Sequence, residues 1–199
     1  MTDTPIRILG IPGSLREHSF NRGLIRAAQE VAPDGVEVSL YPLHDVPFFN
    51  ADVEDIGDPD AVVRFKNAIR NADALLISTP QYNRSIPGVL KNAIDWASRR
   101  PRTGPEPRNS VLHGKPVAIV GVTPGKSFTE PAQIDLRKIL SATFCQIMPG
   151  PEVKLGEADQ RYADNPDLPD EATRELIREV IDELVVFIRQ TETEAAAAD

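Results

Sequence analysis

Hydrophobic and polar positions follow two different periods along the chain, and the two periods alternate from one end to the other. Short, nearly continuous apolar runs are typical of strands buried on both faces. They cover Ile6–Ile11, Val36–Tyr41, Ala74–Thr79 and Pro116–Val122. A short fifth strand is predicted at Gln146–Met148, with Val153–Leu155 as a candidate continuation.

Amphipathic stretches lie between these runs and predict helices. The first places Leu24, Ile25, Ala28 and Val31 at helical spacing, and the others cover Asp58–Ala72, Pro87–Ser98, Ile134–Phe144 and about Asp170–Gln190. Strands that alternate with helices imply a parallel sheet covered on both faces. We therefore predict an α/β fold, a flavodoxin-like three-layer sandwich with a five-stranded parallel sheet. The order 2-1-3-4-5 suits five such strands, although the pattern alone does not fix it.

Size and composition indicate one domain of an ordinary globular protein. The 199 residues, 41% of them hydrophobic, fit a single domain over residues 1–190. Residues 191–199 form an acidic, Ala-rich tail that we expect to fray. The stretch Arg99–Gly114, rich in Pro and Arg, predicts a long loop.

Charge and the rare residue types narrow the function classes. A net charge of −8 makes the chain a poor general binder of nucleic acid or anionic membrane. No apolar run approaches the roughly 18 residues that span a bilayer, and no signal peptide is visible. The single cysteine, Cys145, suits a reducing compartment, so we expect a cytoplasmic protein in which Cys145 is a buried apolar thiol. The three histidines lack metal-ligand spacing, and we expect no metal.

The loop after the first strand carries the groups that a phosphate requires. Ligands of an open α/β sheet bind beyond the carboxyl ends of its strands, where the strand order reverses. In the loop Gly13–Asn21, Ser14, Ser19 and Asn21 offer hydrogen-bonding side chains, and Arg16 offers a forked cation. A plain helix start capped by Ser19 or Asn21 is an equally good interpretation. The loop matches neither the G-x-G-x-x-G fingerprint nor the Walker P-loop.

The loops after the third and fourth strands have the composition of a site for a planar ring. Thr79–Gly88 contains two stiffening prolines, the aromatic Tyr82, and Asn83, whose amide could bind the polar edge of a ring. The alternative is a proline-bounded loop with Tyr82 packed in the core. In Gly121–Phe128, Gly and Pro would let backbone approach a ring closely, and the alternative is a plain strand-to-helix turn.

These segments resemble the NADPH-dependent FMN reductase family of flavodoxin-like quinone, chromate and azo reductases. The resemblance lies in Gly13-Ser14-Leu15-Arg16 with Ser19 and Asn21, in Pro80–Trp96, in Gly114-Lys115-Pro116, in Gln133 with Leu136–Leu140, and in Pro149–Val153. It covers about Ile6 to Val153. Two departures stand out: Gln81 replaces a usual Glu, and Lys126-Ser127-Phe128 replaces a glycine-rich stretch.

The resemblance implies non-covalently bound FMN, NADPH or NADH as cosubstrate, and no catalytic side chain. Ser14, Arg16, Ser19 and Asn21 would hold the FMN phosphate. Pro80, Gln81, Tyr82 and Asn83 would line the isoalloxazine ring, with Ser85 supporting their loop. Gly121, Thr123, Pro124 and Gly125 would border the other edge of the ring. Hydride would pass through flavin N5 to a quinone, chromate, an azo dye or free flavin by a ping-pong mechanism.

Two other functions remain open on the same fold, an electron carrier of the flavodoxin type and a flavin-based redox-sensing module. Arg16 argues against the carrier, whose phosphate loop is normally rich in Thr and Ser. The adjacent aromatics Phe48 and Phe49, in a polar segment, predict a contact surface and a homodimer or homotetramer. The alternative is that one of the two phenylalanines packs on its own domain.

Overall fold

A parallel β-sheet forms the middle layer of the protein, whose computed structural model describes residues 4–100, 109–126, 128–165 and 167–198. Its strands are β1 (Ile6–Pro12), β2 (Val36–Leu40), β3 (Ala74–Ser78), β4 (Pro116–Val122), β5 (Gln146–Ile147) and β6 (Val153–Leu155). The order is β2-β1-β3-β4-β5, which confirms the prediction. Ile8 of β1 pairs with Val38 on one side and with Ala74 on the other. The strand order therefore reverses between β1 and β3.

One edge of the sheet consists of two short strands in line. Ile147 of β5 pairs with Val117 of β4, and Val153 of β6 pairs with Val120 further along the same strand. Since β3 occupies the other edge of β4, β5 and β6 share the remaining edge. The predicted continuation at Val153–Leu155 is thus confirmed.

Helices cover both faces of the sheet. They are α1 (Phe20–Val31), α2 (Ala51–Ile56), α3 (Asp60–Asn71), α4 (Gly88–Ala97), α5 (Glu130–Ala142), α6 (Ala158–Arg161) and α7 (Glu171–Ala198). Alternate residues of a strand point to opposite faces. Leu76 accordingly joins a core that includes α1 and α7, whereas Leu75 joins a core that includes α3, α4 and α5. The predicted three-layer sandwich is confirmed.

Three helical features differ from the predictions. The short helices α2 and α6 were not predicted, because neither is long enough to show a repeating apolar face. The predicted tail is helical as far as Ala198, since Ala and Glu both favour helix. Residues 101–108 of the predicted loop lie outside the described residues. No helix of the described ranges is long and apolar enough to cross a membrane.

Gly121 in β4 provides a test of how tightly the sheet packs on α5. A Cβ atom there would lie 2.4 Å from the carbonyl oxygen of Thr79 and 2.7 Å from Oγ1 of Thr129. Overpacking of this kind costs about 1–3 kcal/mol. We expect Gly121→Ala to lower the free energy of unfolding by that amount in urea denaturation. Gly88→Ala is the matched control, because a Cβ atom there meets nothing within 4 Å; an equal loss in both variants would contradict the packing argument.

Candidate functional site

The carboxyl ends of β1, β3 and β4 bring the three predicted site loops together. Pro12 pairs with Ser78, and Ser78 pairs with Val120, so the three strands end side by side. The amide of Gly13 donates to the carbonyl of Ser78 at 2.7 Å, and that of Thr79 donates to Val120 at 2.9 Å. The loops after β1, β3 and β4 therefore leave the sheet from one edge, at its reversal point.

Asn21 joins the first of these loops to the strands. Its Nδ2 donates to the carbonyl of Val122 at 2.8 Å, while its Oδ1 accepts from the Ser78 hydroxyl at 2.9 Å and from the Val122 amide at 3.1 Å. The side chain is buried. Both acceptor positions of Oδ1 are therefore used inside the protein. Asn21 therefore connects the start of α1 to β3 and β4. Its contact with a phosphate, which the second N–H of Nδ2 would donate, stays a prediction together with those of Ser14, Arg16 and Ser19.

The loop between β1 and α1 brings the cation Arg16 and the backbone N–H donors at the start of α1 together. Ser14 and Ser19 are buried beside it, and Ser19 occupies the N-cap position without a side-chain capping bond. The alternative of a capped helix start is therefore confirmed in the position of Ser19 and wrong in the capping hydrogen bond. The first turn of α1 contains no acidic residue, and its leading N–H groups have no partners within the helix. Arg16 is exposed and pairs with no carboxylate in the described part of the chain. Such a helix start suits a phosphate group.

The loop after β3 presents an aromatic side chain on a tight turn. Tyr82 and Ser85 exchange two backbone hydrogen bonds, of 2.9 and 3.0 Å, around Asn83 and Arg84. Both central residues have positive φ, 50° and 66°, the geometry of a type I′ turn. Left-handed backbone costs a residue with a side chain roughly 1–2 kcal/mol. Tyr82 is 48% exposed, so the alternative that it packs in the core is wrong.

Asp135 of α5 holds this turn, and no pattern in the sequence indicates it. Its carboxylate accepts a hydrogen bond from the Ser85 hydroxyl and another from Nζ of Lys138, at 3.3 Å. These bonds, that of Ser85 first, lower the pKa of Asp135 and keep it ionised. Ser85, predicted to support this loop, thus has Asp135 as its hydrogen-bond partner.

The loop after β4 is anchored by the segment that follows β6. The Thr123 amide donates to the carbonyl of Leu155 at 3.1 Å, and the Thr123 carbonyl accepts from Ala158 at 3.2 Å. Pro124 and Gly125 are exposed at the same edge as the first two loops. Gly121, predicted to border a ring, is buried in β4, where a Cβ atom would meet Thr79 and Thr129; its contact with a ring stays a prediction. Ser127 lies outside the described residues.

Other reactive or charged side chains lie at the amino ends of the strands, opposite the three loops described above. Cys145 precedes β5, its Sγ donates to the carbonyl of Leu112 at 3.3 Å, and burial raises the pKa of the thiol. A thiol with a raised pKa is a poor nucleophile. An open cleft of about 430 Å³ lies near it and is lined by residues of both charge signs, among them Arg70, Asp73 and Lys115. Neither feature supplies a catalytic group to the loops described above.

Comparison with known proteins gives one consistent result. Residues 6–160 match the family model described as NADPH-dependent FMN reductase. An NAD(P)H-dependent FMN reductase of Pseudomonas aeruginosa is 40% identical over 185 residues, 93% of this chain and 96% of that protein. A quinone reductase of Pseudomonas putida is 36% identical over 179 residues, 90% and 92% of the two chains. A flavoenzyme NAD(P)H:(acceptor) oxidoreductase from Paracoccus denitrificans has a similar solved structure, with a TM-score of 0.78, 33% identity, and coverage of 93% of this chain and 98% of that one.

The link between Asp135 and the turn can be tested without any ligand. Asp135→Asn keeps the shape of the side chain but removes the charge that strengthens the Ser85 hydrogen bond. Because the turn is strained, we expect the amide protons of Tyr82 and Ser85 to exchange with solvent several times faster, measured by hydrogen exchange and NMR. Asp95→Asn is the control, since Asp95 pairs with Lys91 on α4. Equal exchange rates in wild type and Asp135→Asn would show that Asp135 does not hold the turn.

Proposed function

Because the chain belongs to the NADPH-dependent FMN reductase family, with FMN as cofactor and NAD(P)H as cosubstrate, we propose that it reduces quinones and similar small acceptors at the carboxyl edge of its sheet. Chromate, azo dyes and free flavin are the other acceptors included in the proposal. We also propose that the protein is cytoplasmic. The observation that carries the proposal is the phosphate loop beside an exposed aromatic turn, the two parts that a phosphorylated planar cofactor requires.

The residues fit FMN part by part. Ser14, Arg16, Ser19 and Asn21 would hold the terminal phosphate, where the start of α1 adds backbone donors. The ring would lie along the loop after β3, lined by Pro80, Gln81, Tyr82 and Asn83. Gly121, Thr123, Pro124 and Gly125 would border the opposite edge of the ring. We propose FMN rather than FAD, since the loop would close around one terminal phosphate and the sequence contains no segment typical of an adenine site.

The protein's own contribution to the reaction is binding and orientation. Bound FMN would supply the redox chemistry, hydride transfer at its N5 atom, so no acid–base pair or nucleophile is required of the chain. Tyr82 and the Pro124–Gly125 backbone are exposed, and this arrangement would leave one face of the ring accessible. Nicotinamide and acceptor would occupy that face in turn, held by stacking. Stacking selects weakly among flat molecules, because few buried polar groups lose partners when a different molecule binds.

Initial-rate kinetics test this function against the carrier and sensor alternatives. With NADPH varied at several fixed quinone concentrations, we expect parallel lines in double-reciprocal plots, because donor and acceptor share one face. Several different quinones should be reduced. Intersecting lines would contradict the shared face. An absence of quinone reduction, together with rapid electron transfer to a protein acceptor, would favour the carrier.

Arg16 provides the test of the phosphate loop. A charge-assisted bond to phosphate contributes about 1.5–3 kcal/mol, so we expect Arg16→Ala to raise the FMN dissociation constant by roughly 10- to 150-fold, measured by flavin fluorescence quenching. Turnover of the flavin-saturated enzyme should change much less. Riboflavin, which lacks the phosphate, is the control ligand, and its affinity should stay the same. An unchanged FMN dissociation constant would remove Arg16 from the site.

The proposed assembly is a homodimer or homotetramer. The two aromatics predicted to form its contact surface, Phe48 and Phe49, have different environments in the structure. Phe49 packs edge-on against Trp96 with ring centroids 4.9 Å apart, so it belongs to its own subunit. Phe48 is 86% exposed and precedes α2, whose Ile56 is also exposed. Exposed apolar side chains of this kind mark contact surfaces. The proposal therefore rests on Phe48 and not on Phe49.

Sedimentation measures the assembly. We expect wild type to sediment as a dimer or tetramer at micromolar concentration, and Phe48→Ser to shift it toward the monomer, since the substitution removes apolar area from the contact. Phe144→Ser is the control, because Phe144 is an exposed aromatic at the opposite edge of the sheet. A monomeric wild-type protein would end this part of the proposal.

A further inference from the structure

The segment after β6 returns to the phosphate loop and contacts its last residues. Tyr162 is buried, and its hydroxyl donates to the carbonyl of Phe20, the first residue of α1, at 2.5 Å. The two rings also pack together, with centroids 4.8 Å apart. We propose that Tyr162 is a positioning residue that holds the phosphate loop in the shape that binds the FMN phosphate. The proposal rests on the proposed function.

The contact between Tyr162 and α1 requires a glycine. A Cβ atom on Gly23 would lie 2.5 Å from Cε1 of Tyr162 and 3.0 Å from its hydroxyl oxygen. Glycine inside a helix costs about 1 kcal/mol relative to alanine. The helix thus carries an unfavourable residue at the position where Tyr162 lies. The ring of Tyr162 lies against the first turn of α1, between Phe20 and Gly23.

Phe20 connects Tyr162 to Arg16, which is proposed to bind the phosphate. The guanidinium carbon of Arg16 lies 5.8 Å from the centre of the Phe20 ring, within the range of a cation–π interaction. Tyr162 fixes the backbone and ring of Phe20, and the ring in turn orients Arg16. A cation held in place before the ligand arrives loses less freedom on binding.

Asp167 forms a second connection from the same segment. Its carboxylate accepts hydrogen bonds from Nδ1 of His18, at 3.3 Å, and from Arg26. These partners, His18 first, lower the pKa of Asp167. His18 lies inside the phosphate loop, two residues before Phe20. The segment therefore contacts the loop at two neighbouring points.

Tyr162 has no part in proton transfer. Burial raises the pKa of its hydroxyl far above the ordinary value for tyrosine, and the proton is already donated to a backbone carbonyl. The hydroxyl faces Phe20 and not an open loop. Its effect on the bound cofactor must therefore pass through the phosphate loop.

Comparison of FMN with riboflavin separates positioning from general stability. Tyr162→Phe removes one hydroxyl and keeps the ring. Loss of one hydrogen bond that holds the loop should raise the FMN dissociation constant about fivefold and leave that of riboflavin unchanged. Tyr41→Phe is the control, because the Tyr41 ring packs on Phe65 at the other face of the sheet. Equal weakening of both ligands would mean that Tyr162 stabilises the fold only, and would overturn the proposal.

A double-mutant cycle tests the route through Arg16. In an Arg16→Ala background, the effect of Tyr162→Phe on FMN binding should fall below about twofold, since the oriented cation is gone. Independent effects would contradict the route. Should Tyr162→Phe fail to fold, Phe20→Leu removes the connecting ring from the loop side, and it should weaken FMN selectively; no selective loss there would overturn the proposal. A wild-type protein that binds no FMN would instead refute the proposed function.

Discussion

A buried amide on α1 determines how the three site loops are arranged. Asn21 uses its side-chain oxygen to accept from Ser78 of β3 and from the Val122 amide at the end of β4, and its nitrogen donates back to Val122. Loss of these partners would leave buried polar groups without hydrogen bonds, at a cost of about 1–3 kcal/mol each. The start of α1 is thereby held over the strands at the point where the sheet order reverses. The phosphate loop takes its position from this arrangement. The Tyr82 turn and the loop after β4 leave from the same strand ends and are held further by Asp135 and by the segment that follows β6.

The sheet could be predicted from the sequence because its signals are local. Continuous apolar runs identified β1, β3 and β4, and the rule that ligands bind at the carboxyl edge then selected three loops that the fold brings together there. The role of Asn21 could not be predicted, because its partners lie 57 and 101 residues away. A side chain that the loop sequence offers as a phosphate ligand also connects, in the fold, α1 to two strands of the sheet. The roles of Asp135 and Tyr162 could not be predicted for the same reason, since their partners Ser85 and Phe20 are also far away in the sequence.

Gly121 shows a second limit of sequence patterns. A glycine at the end of a strand suggests space for a ligand, and equally suggests close packing of the protein on itself. In β4 the second reason applies, since the Thr79 carbonyl and the Thr129 hydroxyl occupy the volume that a Cβ atom would need. The two readings differ only in which atoms fill the space, and periodicity carries no information about that. Gly23 in α1 is a further case, because the ring of Tyr162, 139 residues later in the chain, occupies the volume that a Cβ atom would need.

The site combines a firmly held half with an open half, and the division follows from the chemistry each half would perform. Hydrogen bonds from Asn21 and Tyr162 connect the start of α1 to β3, β4 and the segment after β6, and the half proposed for the phosphate lies at this helix start. The half proposed for the ring presents Tyr82 on a strained turn, held in place by Ser85 and Asp135. Strain of this kind persists only where the surrounding structure holds it. A turn held in this way keeps the aromatic face in one position while leaving it open to solvent. An enzyme that keeps one cofactor and exchanges many flat substrates requires this combination, with tight polar contacts on the cofactor and an accessible, weakly selective surface for what it reduces.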